Sequence, residues 1–559
     1  MVSIRHFIYQ LLNQKKISWL VIAIATISKS ILVAFFSNYE TDKSYYLLLA
    51  KNLAAGKGFT IPYTFLSNPG ITENIYLPSA TSPLYSLLAA PLLKLFPDNY
   101  FLVSWLVESF SWLLLFIVLR KLLLLLSVNY FWTNIFILFS GFFLYNVELS
   151  SSPKDVMAIA LLFLALFRCI RMGITGNNPS FSYLLITSIL FILPGLMKFT
   201  YLPISIVFPL SLLLIGLLNK ERRLIRSGFI TLLLSILLVA GHYFYFLALD
   251  NQTTILLPDF YSQRWSMAKS DNDFVPGFFP ENLSMMYPFI PASVINLDLL
   301  GVQIRSQLSS FYPVYKTLLH TINFIVLAVF CFLFFYLLKK YFRKPIATPI
   351  FFLLTGMCIS LSIITLLSFM SVRYHTIEYK GSNASWTFVY ENRPFLFPII
   401  FLQVCFFVFL FSKKQKTIFS RWLRTFLLII LSVSFLHGAY FLSKKVISFS
   451  SSNQKKNSVN RLVTAIADSS KKVNPDYTVW LATETPHLDW YAKLNNQQVM
   501  TGLVTLNDSS FRLPPKTLLL TAIAYEDTAA ISPYLRKPGV TLLRNYDNVF
   551  LVYLEKTPQ

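Results

Sequence analysis

Two carboxylates, Glu40 and Asp42, come directly after the first apolar run of the chain. A carboxylate in that position can accept a proton from a substrate or cap the helix that follows. Behind them Tyr46, Leu49, Ala50 and Leu53 recur at helical spacing, with Lys43, Lys51 and Asn52 between. This predicts a short amphipathic helix lying in the membrane interface, with Asp42 at its N-terminus and Gly56 and Gly58 ending it. Asp42 is then either an N-cap or a reacting group, and the local sequence fits both. Further along stand Glu148, Lys154, Asp155, Lys198, Asp259, Arg264, Arg373, Glu378, Glu391 and Arg393, several of them at the mouth of an apolar segment. Charges this close to hydrocarbon are costly and usually have a partner or a task.

The elements that must position these groups follow from composition. The 559 residues are 55% hydrophobic, only 13% are charged, and the mean hydropathy is +0.58. A soluble surface cannot be built from that composition, which predicts a polytopic α-helical membrane protein. The basic residues behind the net charge of +23 are expected mainly in short loops between apolar segments, where they orient the chain, so nucleic-acid binding is excluded. Cys169, Cys331, Cys358 and Cys405 all fall in apolar segments, so no disulfide framework or thiolate zinc site is expected in the polar regions. The first apolar run is too long for a cleavable signal and lacks a small-residue cleavage site.

The pattern gives about eleven spans of about twenty residues, near 19–36, 100–118, 131–145, 156–166, 183–196, 202–218, 230–249, 321–338, 350–370, 394–411 and 426–442. A shorter apolar helix at 83–96 is assigned to the interface. Alternate spans return to basic clusters such as Arg120–Lys121, Arg168–Arg171 and Lys413–Arg424. That alternation places the N-terminus in the cytoplasm, in a plasma (inner) membrane, and the loops 38–99, 250–315 and 371–393 outside. The membrane domain is 1–443. Residues 457–559 turn soluble in composition and predict a small extracytoplasmic α/β domain, with strands at 479–482, 517–522, 540–543 and 549–553 and helices at 459–469 and 526–535. The charges named above then share the outer face. Carboxylates and cations together beside a bilayer suit a reaction on a lipid-linked, phosphate-bearing substrate.

Five segments carry a resemblance. Asp42-x-x-x-Tyr46 with Ala50, Leu53, Gly56 and Gly58 resembles the first-loop signature of the GT-C glycosyltransferases related to protein O-mannosyltransferases and aminoarabinose transferases. Ser82-Pro83-Leu84-Tyr85 resembles that family's Pro-Pro-x-Tyr region, and Ser152-Pro153-Lys154-Asp155 its Lys-acidic turn. Leu196-Met197-Lys198-Phe199 resembles a basic turn between two short spans. Glu391-Asn392-Arg393-Pro394, with Pro398, resembles the family's Glu-x-Arg-Tyr-x-x-Pro start of a late span. The resemblance runs from residue 19 to 411. It departs where Lys43 stands in place of a second adjacent carboxylate and where Pro394 stands in place of Tyr.

The resemblance implies inverting transfer of a sugar from a polyprenyl-phosphate donor to a glycan, lipid or protein acceptor on the outer face. It places a first-loop acidic residue at the centre: Asp42, or Glu40 with shifted spacing. Lys198 and Arg393, with Arg264 and Arg373 in reserve, are the expected phosphate-binding cations. Glu148, Lys154, Asp155, Glu391 and Tyr46 are expected to bind the acceptor or support the site. For Asp155 and Glu148, capping and pairing with Lys154 remain open alternatives. No cofactor is required; a divalent metal at His375 and Glu378, with Asp42, is the one metal arrangement the sequence offers. The aromatic loop 250–315 is either a substrate lid or a membrane-resting loop. Two rival readings remain, a polytopic transporter and a non-catalytic polyprenyl-lipid-binding component of cell-surface polysaccharide assembly.

Overall fold

A computed structural model of the chain describes residues 6, 9–36, 41–64, 72–75, 83–97, 99–145, 153–175, 178–198, 201–250, 312–341, 347–369, 373–375, 385–387, 396–412, 422, 424–425, 428–443, 478–483, 498–501, 517–524, 540–546 and 549–555. In chain order the elements are α1 (Lys15–Phe36), α2 (Thr41–Ala54), the hairpin β1 (Ile61–Thr64) and β2 (Thr72–Ile75), α3 (Pro83–Leu95), α4 (Tyr100–Leu125), α5 (Tyr130–Phe142) and α6 (Pro153–Thr175). There follow α7 (Phe181–Met197), α8 (Leu202–Leu218), α9 (Arg222–Asp250), α10 (Tyr312–Tyr341), α11 (Thr348–Phe369), the hairpin β3 (Arg373–His375) and β4 (Ser385–Thr387), and α12 (Leu396–Phe411). Last come α13 (Leu428–Ser443) and the strands β5 (Thr478–Thr483), β6 (Gln498–Thr501), β7 (Thr517–Ala524), β8 (Val540–Tyr546) and β9 (Val549–Glu555).

The protein is mostly helical, and a helix stands at each segment expected to span the membrane. Among the described residues, five are long and apolar enough to cross a bilayer: Lys15–Ala34, Tyr100–Leu125, Lys154–Thr175, Arg222–Gly241 and Thr348–Thr365. The other apolar helices are shorter. Several run further than their apolar cores. α4 continues past Arg120 and Lys121, α6 past Arg168 and Arg171, and α9 begins at Arg222. These basic residues therefore sit on helices, not in loops. Arg and Lys are good helix formers, and their long stems let a helix continue past the hydrocarbon edge.

The described chain divides into two compact units. The larger holds α1, most of α4, α5 to α13 and the β3–β4 hairpin. At its centre is α12, buried on nearly every side from Leu396 to Phe411, as an all-round apolar helix must be. α1 and α5 pack so closely that a Cβ at Gly141 would lie 2.5 Å from the Cβ of Ala25. Small residues permit such approaches between membrane helices. The ends of α5 and α7 are set by Asn129 and Ser180, whose side chains accept from the backbone N–H groups of Trp132 and Tyr183.

The second unit holds α2, the β1–β2 hairpin, α3, the first residues of α4 and the five-stranded sheet. The sheet order is β6-β5-β7-β9-β8, parallel through β6, β5 and β7 and antiparallel beyond. β1 lies against β6. The four expected C-terminal strands are present, and β6 is an addition. The expected helices at 459–469 and 526–535 lie outside the described residues.

Candidate functional site

α2 begins one residue before Asp42 and closes where the glycines require. Gly56 has φ 75°, its N–H donates to Leu53 O, and the N–H of Lys57 donates to Asn52 O at 2.8 Å. That is a Schellman closure, in which the left-handed residue is best a glycine. The helix is not amphipathic as expected. Tyr46, Leu47, Leu48, Leu49 and Ala50 are all buried, so it is packed on every side there. The reason is α3, which lies along it. Ser86 Oγ donates to Tyr46 O at 2.9 Å, and the Tyr46 and Tyr85 rings meet edge to face at 5.8 Å. Lys51 Nζ lies 5.8 Å from the centre of the Tyr100 ring, tying the far end of α2 to the start of α4. The first-loop segment and the Ser-Pro-Leu-Tyr segment are thus one packed pair. Asp42 is fixed by its backbone in the first turn of α2.

In the larger unit, two other motif segments meet. Lys198 follows α7 with an extended backbone, and its N–H donates to Pro194 O. Its ammonium donates to both oxygens of Asp155, at 2.9 and 3.1 Å, from the turn between α7 and α8 to the first turn of α6. Tyr201, at the start of α8, donates its hydroxyl to Asp155 Oδ1 at 3.1 Å. Asp155 is therefore held three ways, and it also sits where a helix N-terminus favours negative charge. Its side chain is 1% exposed, whereas that of Lys198 keeps 24%. The carboxylate is thus closed off, while the Lys198 side chain reaches the surface in part. Lys154, next in the chain, is buried as well. Burial, and then the Asp155 carboxylate, push the Tyr201 hydroxyl well above the usual range, so it stays a donor.

A third polar cluster was not expected. Lys29, well inside α1, is fully buried and donates to Phe143 O at 2.5 Å. Its ammonium lies 4.7 Å from the centre of the Trp112 ring and 4.9 Å from that of Tyr145. Tyr145 in turn donates its hydroxyl to Gln403 Oε1 at 2.8 Å, on α12. The network fixes the exit of α5, from which the chain runs on to Lys154 and Asp155. A lysine and a glutamine inside apolar segments were the signal that could have found it. Glu108, a turn before Trp112 on α4, is also buried.

Of the expected site residues, Tyr46, Lys154, Asp155 and Lys198 are described with their side chains. Asp42, Arg373 and His375 are described by backbone alone, the last two on β3. Glu40, Glu148, Arg264, Glu378, Glu391 and Arg393 lie outside the described residues, as does nearly all of the loop 250–315. Among the described residues, no three His, Cys, Asp or Glu side chains come together as a metal site.

No family model and no curated protein matches the chain. Among solved structures, one of those similar to it is the archaeal oligosaccharyltransferase AglB from Archaeoglobus fulgidus, in complex with an inhibitory peptide and a dolichol-phosphate. The TM-score is 0.45 at 10% identity, covering 93% of this chain and 71% of that one.

Proposed function

We propose that the protein is a membrane glycosyltransferase that moves a sugar from a polyprenyl-phosphate donor to a hydroxyl-bearing acceptor at the outer face of the membrane. The observation that carries this reading is the Lys198–Asp155 pair. The ammonium donates to both oxygens of a buried carboxylate, while the Lys198 side chain keeps 24% of its surface exposed and an ammonium has three donors in all. A cation held in one orientation beside hydrocarbon suits the phosphate of a lipid-linked sugar. It needs no reorganisation as charge develops on the leaving oxygen.

In the proposed reaction Asp42, or Glu40, takes the acceptor proton as the acceptor oxygen bonds to the anomeric carbon. The bond from that carbon to the phosphate oxygen breaks, and its electron pair leaves with the polyprenyl phosphate. Lys198, together with Arg393, stabilises that charge. Asp155 and Tyr201 hold Lys198 in place.

The test of the phosphate assignment is donor binding. Lys198→Ala should weaken binding of a short-chain polyprenyl-phosphate sugar by about tenfold or more, with folding monitored in parallel. Unchanged binding by the folded variant would remove Lys198 from the site. The buried Lys29 and Glu108 are the kind of intramembrane groups a transporter uses. Donor translocation in vesicles without sugar transfer would favour that reading instead.

A further inference from the structure

Arg120 sits near the end of α4, next to the turn into α5, and it is 6% exposed. Its guanidinium carries five N–H donors. Among the described residues it meets no hydrogen-bond acceptor or carboxylate, and its Nε is both inaccessible and unpartnered. What it does meet is two rings. Its Cζ lies 5.0 Å from the centre of Trp19 on α1 and 5.6 Å from that of Tyr130 on α5. Stacking orients a guanidinium plane but leaves its edge donors unmet. Of the guanidinium nitrogens only Nε is closed off without a partner among the described residues, so the edge is open to a group outside this chain.

The surroundings say what kind. Among the described residues, Ser18 Oγ, next to Trp19 in the chain, and Thr133 Oγ1, on the first turn of α5, are inaccessible and have no hydrogen-bond partner. Lys15, Lys16 and Lys121 are exposed nearby in the chain, and no acidic residue occurs from 1 to 39 or from 109 to 147. From Trp19, itself 49% exposed, a row of exposed apolar side chains runs along α1 through Leu20, Ile24 and Ile27. A ligand fitting this place has an anionic head at Arg120 and apolar chains along α1.

We propose that the start of α1, the end of α4 and the start of α5 bind the phosphate diester of an anionic membrane lipid, with Arg120 as its principal cation. The guanidinium edge pairs with the non-bridging oxygens, in the geometry that arginine offers to phosphate. The exposed lysines select a net-negative headgroup over a zwitterionic one, as basic pockets at membrane-helix ends do. The inference rests on the membrane reading of the chain and is independent of the transfer reaction.

Native mass spectrometry of the full-length protein in detergent tests this, with phosphatidylglycerol and phosphatidylcholine of matched chains. The wild type should retain phosphatidylglycerol about tenfold better or more. Arg120→Gln should abolish that preference. If Arg120→Gln does not fold, Trp19→Ala, which opens the ring platform without removing charge, should lower the preference. Equal retention of both lipids would overturn the proposal, as would a preference that survives in folded Arg120→Gln or is undiminished in Trp19→Ala. Inorganic phosphate that stabilises the protein as well as phosphatidylglycerol does would overturn the lipid source in favour of a free anion.

Discussion

Lys198 and Arg120 are cations of the same helical unit in opposite circumstances. Lys198 is partly exposed, and the chain gives it a buried carboxylate and a supporting tyrosine. Arg120 is buried, and the chain gives it two aromatic rings and no acceptor among the described residues. A charge paired within the chain is positioned before any ligand arrives. A charge left without an acceptor in the chain is open to a ligand from outside it. The first arrangement suits a site where geometry must be fixed for a reaction. The second suits a site where a permanent component of the membrane can serve as counter-ion.

Breaking the paired cation should have the largest effect on stability. Asp155→Leu leaves the Lys198 ammonium without its carboxylate and should cost about 3 kcal/mol, the lower end for a broken buried pair because Lys198 is partly solvated. Combining it with Lys198→Met should recover much of that loss in thermal unfolding in detergent. A double variant no better than Asp155→Leu would mean that the carboxylate serves Tyr201 or the α6 N-terminus more than Lys198.

Tyr201→Phe removes one hydrogen bond to a charged acceptor and should cost about 1.5 kcal/mol at neutral pH. It also sharpens the comparison through pH. The folded-state pKa of Tyr201 is raised, so the folded protein keeps this proton after the unfolded chain has released its own near pH ~10. The contribution of this group is full below that point and declines as pH rises toward the folded-state value. Unfolding followed from pH 8 upward should show a shallower alkaline decline in Tyr201→Phe than in the wild type. Identical slopes would contradict the hydroxyl's protected state.

Arg120→Met should have the smallest effect. In lipid-depleted detergent it should change stability by no more than about 0.5 kcal/mol or raise it, since an unpaired buried charge is exchanged for an apolar side chain. A loss as large as that of Asp155→Leu would show that the two rings alone satisfy the guanidinium.

The helices were legible because long apolar runs leave the chain no other way to satisfy its backbone. The C-terminal strands were legible because runs such as Thr517–Ala524 are apolar and bounded by polar residues. β6, Gln-Val-Met-Thr, is too short and mixed to announce itself, and Pro62 disguises β1. In the site, Asp155 and Lys198 were both recognisable as costly charges. Their pairing was not, because it depends on how α6 and α7 are rotated about their axes, 43 residues apart in the chain. The all-round burial of α2 was hidden for a related reason. Its polar Lys51 and Asn52 suggested a wet face, but Asn52 is turned to Thr60 and buried. Lys29 was passed over because a single lysine does not break the apolar character of its span.

The most direct test of the central claim is sugar transfer by purified protein from a polyprenyl-phosphate donor, comparing wild type with Asp42→Asn. A helix cap needs only an acceptor oxygen, which Asn supplies about as well as Asp, so detergent stability should be nearly unchanged. A general base needs the carboxylate. Transfer should therefore fall by about a hundredfold or more while donor binding persists, with Glu40→Gln run in parallel in case the shifted carboxylate is the base. Near-normal transfer by both variants, correctly folded, would contradict the mechanism and leave the first-loop carboxylates a structural role.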